Sequence, residues 1–144
     1  MIEMQFPLAK LERLQRVLAQ LDQLPRRTAE LAAPAITREL QKEYAQGRDP
    51  HGRKWKRLAR TGKASHLTET GRLRMGTRAA PMPGGRRGLR ILFGARARIA
   101  GFHQTGTRNM PARRILPDKG MPASWSMALA RAYRQAFQQA TRVG

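Results

Sequence analysis

Apolar residues recur at helical spacing near both ends of this 144-residue chain and at alternate positions in its middle, and that change of period constrains the fold most. Near the start, Leu11, Leu14, Leu18 and Leu21 follow a 3-4-3 spacing, with Leu8, Val17 and Leu24 widening the stripe. Lys10, Glu12, Arg13, Gln15, Arg16 and Gln20 occupy the other face, which predicts an amphipathic helix closed by Pro25. The stripe is too short for a coiled coil, so it is expected to pack on a core or on a neighbouring subunit. A second helix is predicted over about residues 26–46, with Leu31, Ala35, Ile36, Leu40 and Tyr44 as its apolar face and Gly47 as its C-terminal cap. Pro34 lacks an amide hydrogen and is expected to kink or split that helix. After Pro122, the residues Trp125, Leu129, Ala132, Tyr133, Ala136 and Ala140 share one helix face, with Ser124 as the expected N-cap.

The middle reads differently. Gly47, Asp49-Pro50, Gly52 and Thr61-Gly62 are turn formers around the basic run Arg53-Lys54-Trp55-Lys56-Arg57, so residues 47–70 are expected to be an irregular functional or disordered loop. Three short strands are predicted next. Leu73 and Met75 alternate with Arg72 and Arg74, Leu89, Ile91 and Phe93 alternate with Arg90 and Leu92, and Ile115-Leu116 forms a third apolar piece. Residues 80–88, rich in Pro and Gly, form a flexible tip between the first two. The expected fold class is α+β: N-terminal helices, a small antiparallel sheet with a long hairpin loop, and a C-terminal helix. One domain spanning 1–144 is expected, with a helical region at 1–46, loop and sheet at 47–121, and the closing helix at 122–144.

Charge divides the same chain in two. The formal net charge is +20, from 29 Lys and Arg against 9 Asp and Glu. Residues 1–49 carry 8 basic and 7 acidic groups, whereas residues 50–144 carry 21 basic groups against only Glu69 and Asp118. So large a surplus points to an anionic partner. The absence of cysteine excludes disulfides, thiolate zinc sites and Cys nucleophiles. None of His51, His66 and His103 lies in a metal-ligand spacing or beside an acid in sequence, so no catalytic residue, cofactor or metal is expected. The glycine-rich run at 83–88 lacks the phosphate-loop order. No apolar run is long enough for a membrane span, and the first residues lack the basic and apolar regions of an export signal, so action in a cytoplasm is expected.

Two stretches carry a specific pattern. Asp49-Pro50-His51-Gly52-Arg53-Lys54-Trp55-Lys56-Arg57-Leu58, continuing to Leu67-Thr68-Glu69-Thr70-Gly71-Arg72-Leu73, resembles Pro-x-Gly-x-x-Trp-x-x-Leu followed by Leu-x-x-Thr-Gly-x-Leu. Ile99-Ala100-Gly101-Phe102-His103-Gln104-Thr105-Gly106, then Met110-Pro111-Ala112-Arg113-Arg114-Ile115-Leu116, is similar to Ala-x-x-His-Gln-x-Gly and Met-Pro-Ala-Arg-x-Phe/Ile-Leu. In this order, over roughly residues 45–120, the elements resemble those of the phage virion morphogenesis proteins, which include tail-completion proteins and the G-type proteins of Mu-like phages. The chain departs from the family at Ile99-Ala100, where Tyr-Ala is frequent, and at Ile115, where an aromatic is frequent. The resemblance implies a non-catalytic bacteriophage structural protein of the neck, in tail completion or head–tail joining, assembled in the host cytoplasm and found in the virion. It implies as partners further copies of itself in a homo-oligomeric ring, other neck or tail proteins, and packaged DNA, with no membrane.

The residues read as structural within that pattern. Trp55 is too large and apolar for a solvated basic loop and is expected to anchor it on the helices. Gly71 is expected to permit a tight entry into a strand starting at Arg72. His103-Gln104 reads as a helix-terminal hydrogen-bonding pair fixing the turn at Gly106 rather than as a catalytic pair, and Pro111 pushes Met110 towards extended backbone. Arg86, Arg87, Arg90, Arg96 and Arg98 are the candidates for contact with DNA or an acidic partner. The alternative function is sequence-independent nucleic-acid binding.

Overall fold

The computed structural model describes residues 8–56, 72–108 and 111–142. Among them, helix α1 (Leu8–Asp22) is followed after one residue by α2 (Leu24–Gln46). Pro25 therefore opens the second helix rather than closing the first, because a proline in the first turn gives up an amide that would have no helical partner there. Pro34 does not split α2, which runs through it for 23 residues. Ala29, Ala32, Ala33, Ile36, Leu40 and Tyr44 are buried on one face along its whole length, and packing on both sides of the proline outweighs one missing backbone bond. Gly47 caps α2 with φ of 63°, a conformation open to glycine, and Arg48 N–H reaches back to the carbonyl of Glu43 at 3.1 Å.

Helix α3 (Arg72–Gly76) replaces the strand expected there. Alternation over four residues also fits one helical turn, and exposure decides between them: Leu73 is 6% exposed and Met75 78%, whereas a strand would place both on one face. The turn is held from α2. Gln41 donates to the carbonyls of Arg74 (2.9 Å) and Thr77 (3.2 Å) and accepts from Arg74 Nε (2.8 Å).

Strands β1 (Arg78–Pro81) and β2 (Leu89–Leu92) form a two-stranded antiparallel hairpin, with Arg78 opposite Leu92 and Ala80 opposite Arg90. Ala80 and Pro81 thus belong to a strand, and the tip is confined to 82–88, closed by a 3.0 Å bond from Met82 N–H to Gly88 carbonyl. Leu89, Ile91 and Phe93 pack against the core, as their alternation predicts. Thr37 of α2 satisfies the outer edge of β1 by accepting from Ala79 N–H at 2.9 Å. At the hairpin base, the chain at Gly76 passes against the backbone of Phe93 and Gly94. A Cβ at Gly76 would lie 2.8 Å from the Phe93 carbonyl oxygen. Gly76→Ala should therefore cost about 1–3 kcal/mol despite the better helix propensity of alanine. Thermal unfolding checks this, and an unchanged or higher midpoint would refute it.

A 3-10 turn (Gly94–Arg96) leads into α4 (Ala97–Thr105), and α5 (Ala123–Thr141) closes the described chain. Ile115-Leu116 is not a third strand, since its amides are taken by a side chain described below. Pro122 in extended conformation, not Ser124, precedes α5, and Ser126 N–H bonds the Pro122 carbonyl at 2.9 Å. On α5 the buried positions are Trp125, Ala132, Ala136 and Ala140, while Tyr133 is 51% exposed and stacks on Phe137. Helix α5 packs along α2, and the small buried side chains of both, Ala29, Ala32 and Ala33 on one and Ala132, Ala136 and Ala140 on the other, allow a close approach. The architecture is α+β with helices at both ends, the class expected from periodicity.

Candidate functional site

The first motif folds around one carboxylate. Asp49 Oδ1 accepts from the backbone N–H groups of His51 and Arg53, each at 2.9 Å, and Asp49 N–H bonds the Arg53 carbonyl at 2.8 Å. Pro50 is buried in this turn and Gly52 lies at its exposed tip. Trp55 N–H bonds the Gly47 carbonyl at 2.8 Å. Residues 47–56 are thus a tight, internally bonded hairpin rather than an irregular loop, because the Asp49 side chain satisfies amides that a longer ladder would otherwise take. Leu58, Thr70 and Gly71, with the Arg72 entry assigned to Gly71, fall at or beyond the edge of the described residues.

Trp55 does anchor the hairpin. It is 6% exposed, meets the Tyr44 ring edge-on at 5.9 Å, and donates from Nε1 to the Arg114 carbonyl at 2.8 Å. Tyr44 in turn shares a 2.8 Å hydrogen bond with Thr77, and burial pushes its phenol up to about 12.

The second motif is bound to the first. Gln104 donates to the Leu116 carbonyl (3.1 Å), and its Oε1 accepts from the N–H groups of Ile115 and Leu116, both at 2.9 Å. It therefore fixes the 115–116 segment and not the turn at Gly106. That turn is made by Gly106 N–H bonding the Phe102 carbonyl at 2.8 Å. His103 is buried, and its carbonyl accepts from Arg113 N–H at 2.7 Å. Met110 is outside the described residues, and Pro111 and Ala112 are exposed. Arg113 is 2% exposed and donates from Nε to the Lys56 carbonyl at 2.8 Å, joining the end of the first motif to the second; burial lowers its pKa. Leu73 and Ile115 complete the same core.

At the rim, Arg53 bridges Asp49 (2.6 Å) and Asp118 (2.7 Å), and Arg114 also pairs with Asp118 (2.6 Å). Partial burial opposes ionisation of Asp118, but Arg53 and Arg114 outweigh it and hold the carboxyl below its usual range. Sequence reading noted Asp118 as a rare acid of the basic part; its role as a tie between the motifs was signalled only by the four-residue spacings of Asp49 with Arg53 and of Arg114 with Asp118.

The most perturbed group went unnoticed in the sequence. Glu43, on the last turn of α2, is 9% exposed, and its Oε1 accepts from Trp125 Nε1 at 3.0 Å while Oε2 has no partner among the described residues. Burial pushes its carboxyl up to about 8 against the pull of Trp125, with Glu39 and Asp49 adding to the rise. A single neutral acid of this kind can hold a proton, but the described residues contain no group of three or more His, Cys, Asp or Glu that could hold a metal ion.

Two surfaces remain open. One is apolar. No residue of α1 is buried, and Leu8, Leu11, Leu14 and Leu18 are 69, 44, 53 and 55% exposed. Elsewhere a groove of about 360 Å³ between α2, β2 and α5 is lined by Pro25, Ile36, Leu89, Ile91, Trp125 and Leu129, among others. The other surface is basic. Arg86, Arg87, Arg90 and Arg98 are exposed and Arg96 is half-buried, with Arg98 lying over the Phe102 ring at 5.8 Å. The sequence-predicted residues therefore separate into an internal clamp, built from the two motifs, and an external arginine surface. No known protein family, curated protein or solved structure matches the chain.

Proposed function

We propose that this chain is a non-catalytic structural subunit that assembles with copies of itself into a ring, serving tail completion or head–tail joining at the neck of a phage particle. The observation that carries the assembly is α1, a helix on which its own chain leaves Leu8, Leu11, Leu14 and Leu18 exposed. Contiguous exposed apolar side chains of that kind mark a surface that another surface covers. A second copy is the occupant that charge favours, because residues 1–49 are nearly neutral while the rest of the chain would repel its like. The apolar groove is lined from α2, β2 and α5 and by no residue of α1. A contact between two different patches is heterologous and closes into a ring when its rotation permits. The neck placement rests on the family resemblance of the two motifs, whose residues act here as a structural clamp.

Light scattering or native mass spectrometry of the purified chain at moderate salt tests the assembly. The expected species is a closed oligomer. Changing Leu11, Leu14 and Leu18 to Ser should leave a monomer with little loss of melting temperature, since these three side chains are among the exposed ones of the single chain, at 44, 53 and 55%. A wild-type chain that stays monomeric at high concentration would overturn the reading. For the placement, deleting this chain from a bacterium that produces the particles should leave heads and tails unjoined under the electron microscope; joined particles would refute it.

A further inference from the structure

From the strand register and the charge it aligns, we infer that the outer face of the β1–β2 hairpin is a binding surface for the phosphate backbone of duplex nucleic acid. Arg78 pairs with Leu92 and Ala80 with Arg90, so those four side chains share one face, while Ala79, Ile91, Pro81 and Leu89 share the other. The second set faces the core: Ala79 is 7% exposed, and Leu89 and Ile91 pack against the core cluster. Arg78 and Arg90 are therefore diagonal neighbours on the solvent side, about 7–8 Å apart along the ladder, and both are exposed. Arg86 and Arg87 extend the same ribbon at its tip. None of these four side chains has a hydrogen-bond or ion-pair partner among the described residues, whereas Arg53 and Arg114 have carboxylates. Sequence reading did not single out Arg78; only the register brings it beside Arg90.

The chemistry favours phosphate over an acidic protein. Residues 72–108 contain nine arginines, no lysine and no acid. The planar fork of arginine suits phosphate oxygens, and a uniform field of it without carboxylates repels itself unless a polyanion lies against it. A protein partner would call for an apolar anchor at the centre of the contact, and between the arginines this face offers only Ala80 and a half-buried Leu92. A two-stranded ribbon is also narrow enough to enter a major groove. Clamped at its base by the close passage of Gly76 against Phe93 and Gly94, the hairpin presents its arginines from a fixed root. The face has no amide side chain to read adenine, and its exposed arginines have no side-chain partner to fix them on a guanine edge, so the contact assigned to them is with phosphate and binding is sequence-independent.

The inference does not depend on the assembly reading, because a monomer can bind by this surface. The test is fluorescence anisotropy of short labelled duplexes of two unrelated sequences with the full chain, over a salt series, beside Arg78→Gln/Arg90→Gln and, for the same loss of charge, Arg131→Gln/Arg134→Gln on α5. Both pairs are exposed, and sizing and melting should match wild type throughout. The expected result is equal affinity for both duplexes and a log–log salt slope about 2 smaller for the hairpin variant, near 0.9 per lost phosphate contact. The α5 variant should keep the wild-type slope. Equal losses in the two variants would mean diffuse attraction by net charge and would overturn the proposal, as would an unchanged hairpin variant. So would polyglutamate displacing the duplex at lower charge concentration than unlabelled duplex does, which would identify an acidic protein as the partner.

Discussion

Trp55→Ala is expected to destabilise the chain by roughly 3–5 kcal/mol, the usual range for a buried aromatic truncated to alanine. Against total stabilities of about 5–15 kcal/mol, such a loss endangers the fold itself. Three contacts disappear together: burial among Tyr44, Leu73 and Ile115, the edge-on ring contact with Tyr44, and the hydrogen bond from Nε1 to the Arg114 carbonyl. The last links the two motifs, so the 113–118 segment should loosen along with the 47–56 hairpin. Denaturant unfolding followed by circular dichroism measures the effect. Trp55→Phe should recover most of it, missing about 1–3 kcal/mol for the carbonyl left without its donor. If the alanine variant melted within a degree or two of wild type, Trp55 would be a surface contact and the clamp would have to be placed elsewhere.

Glu43→Gln should act in the opposite direction. In the folded chain Glu43 keeps its proton up to about pH 8, against an ordinary value of 4.5. Between those values the folded state binds more protons than the unfolded one, so stability falls as pH rises, by about 1.4 kcal/mol per unit, and levels off above about 8. At pH 7 the accumulated cost is roughly 3 kcal/mol. The glutamine variant cannot ionise, and its amide oxygen can still accept from Trp125 Nε1. It should therefore be more stable than wild type by roughly that amount at pH 7 and about equal to it near pH 4. Parallel urea titrations at several pH values give the difference directly. A gap that stayed constant with pH would mean that Glu43 titrates normally in the folded state.

Stability and the proposed contacts thus rest on different parts of one chain. The motif residues fold inward and tie residues 47–56 to 111–118, while the surfaces free to meet partners are the leucines of α1 and the arginines of the hairpin. Substitutions in the clamp should unfold the subunit. Substitutions on the two surfaces should leave it folded and alter what it binds.

The sequence by itself determined the features that depend on neighbours along the chain. Leucine and alanine periodicity placed α1, α2 and α5, because a 3.6-residue repeat is a local property of the backbone. Gly47 marked the end of α2 for an equally local reason, and alternation at 89–93 gave the inward face of β2. Tertiary structure decided whatever depends on residues distant in sequence. Four alternating residues at 72–75 became a helical turn because Gln41, more than thirty positions away, caps it. Ile115 and Leu116 bond to the Gln104 amide instead of a strand. Glu43 reads as an ordinary helical acid until Trp125 covers it, and its proton follows from that burial. Arg78 and Arg90 come to share a face only through the hairpin register, since a slip of one residue would turn one of them away. A leucine stripe likewise states that a helix wants covering, and only the packed chain shows that its own core leaves Leu8, Leu11, Leu14 and Leu18 exposed.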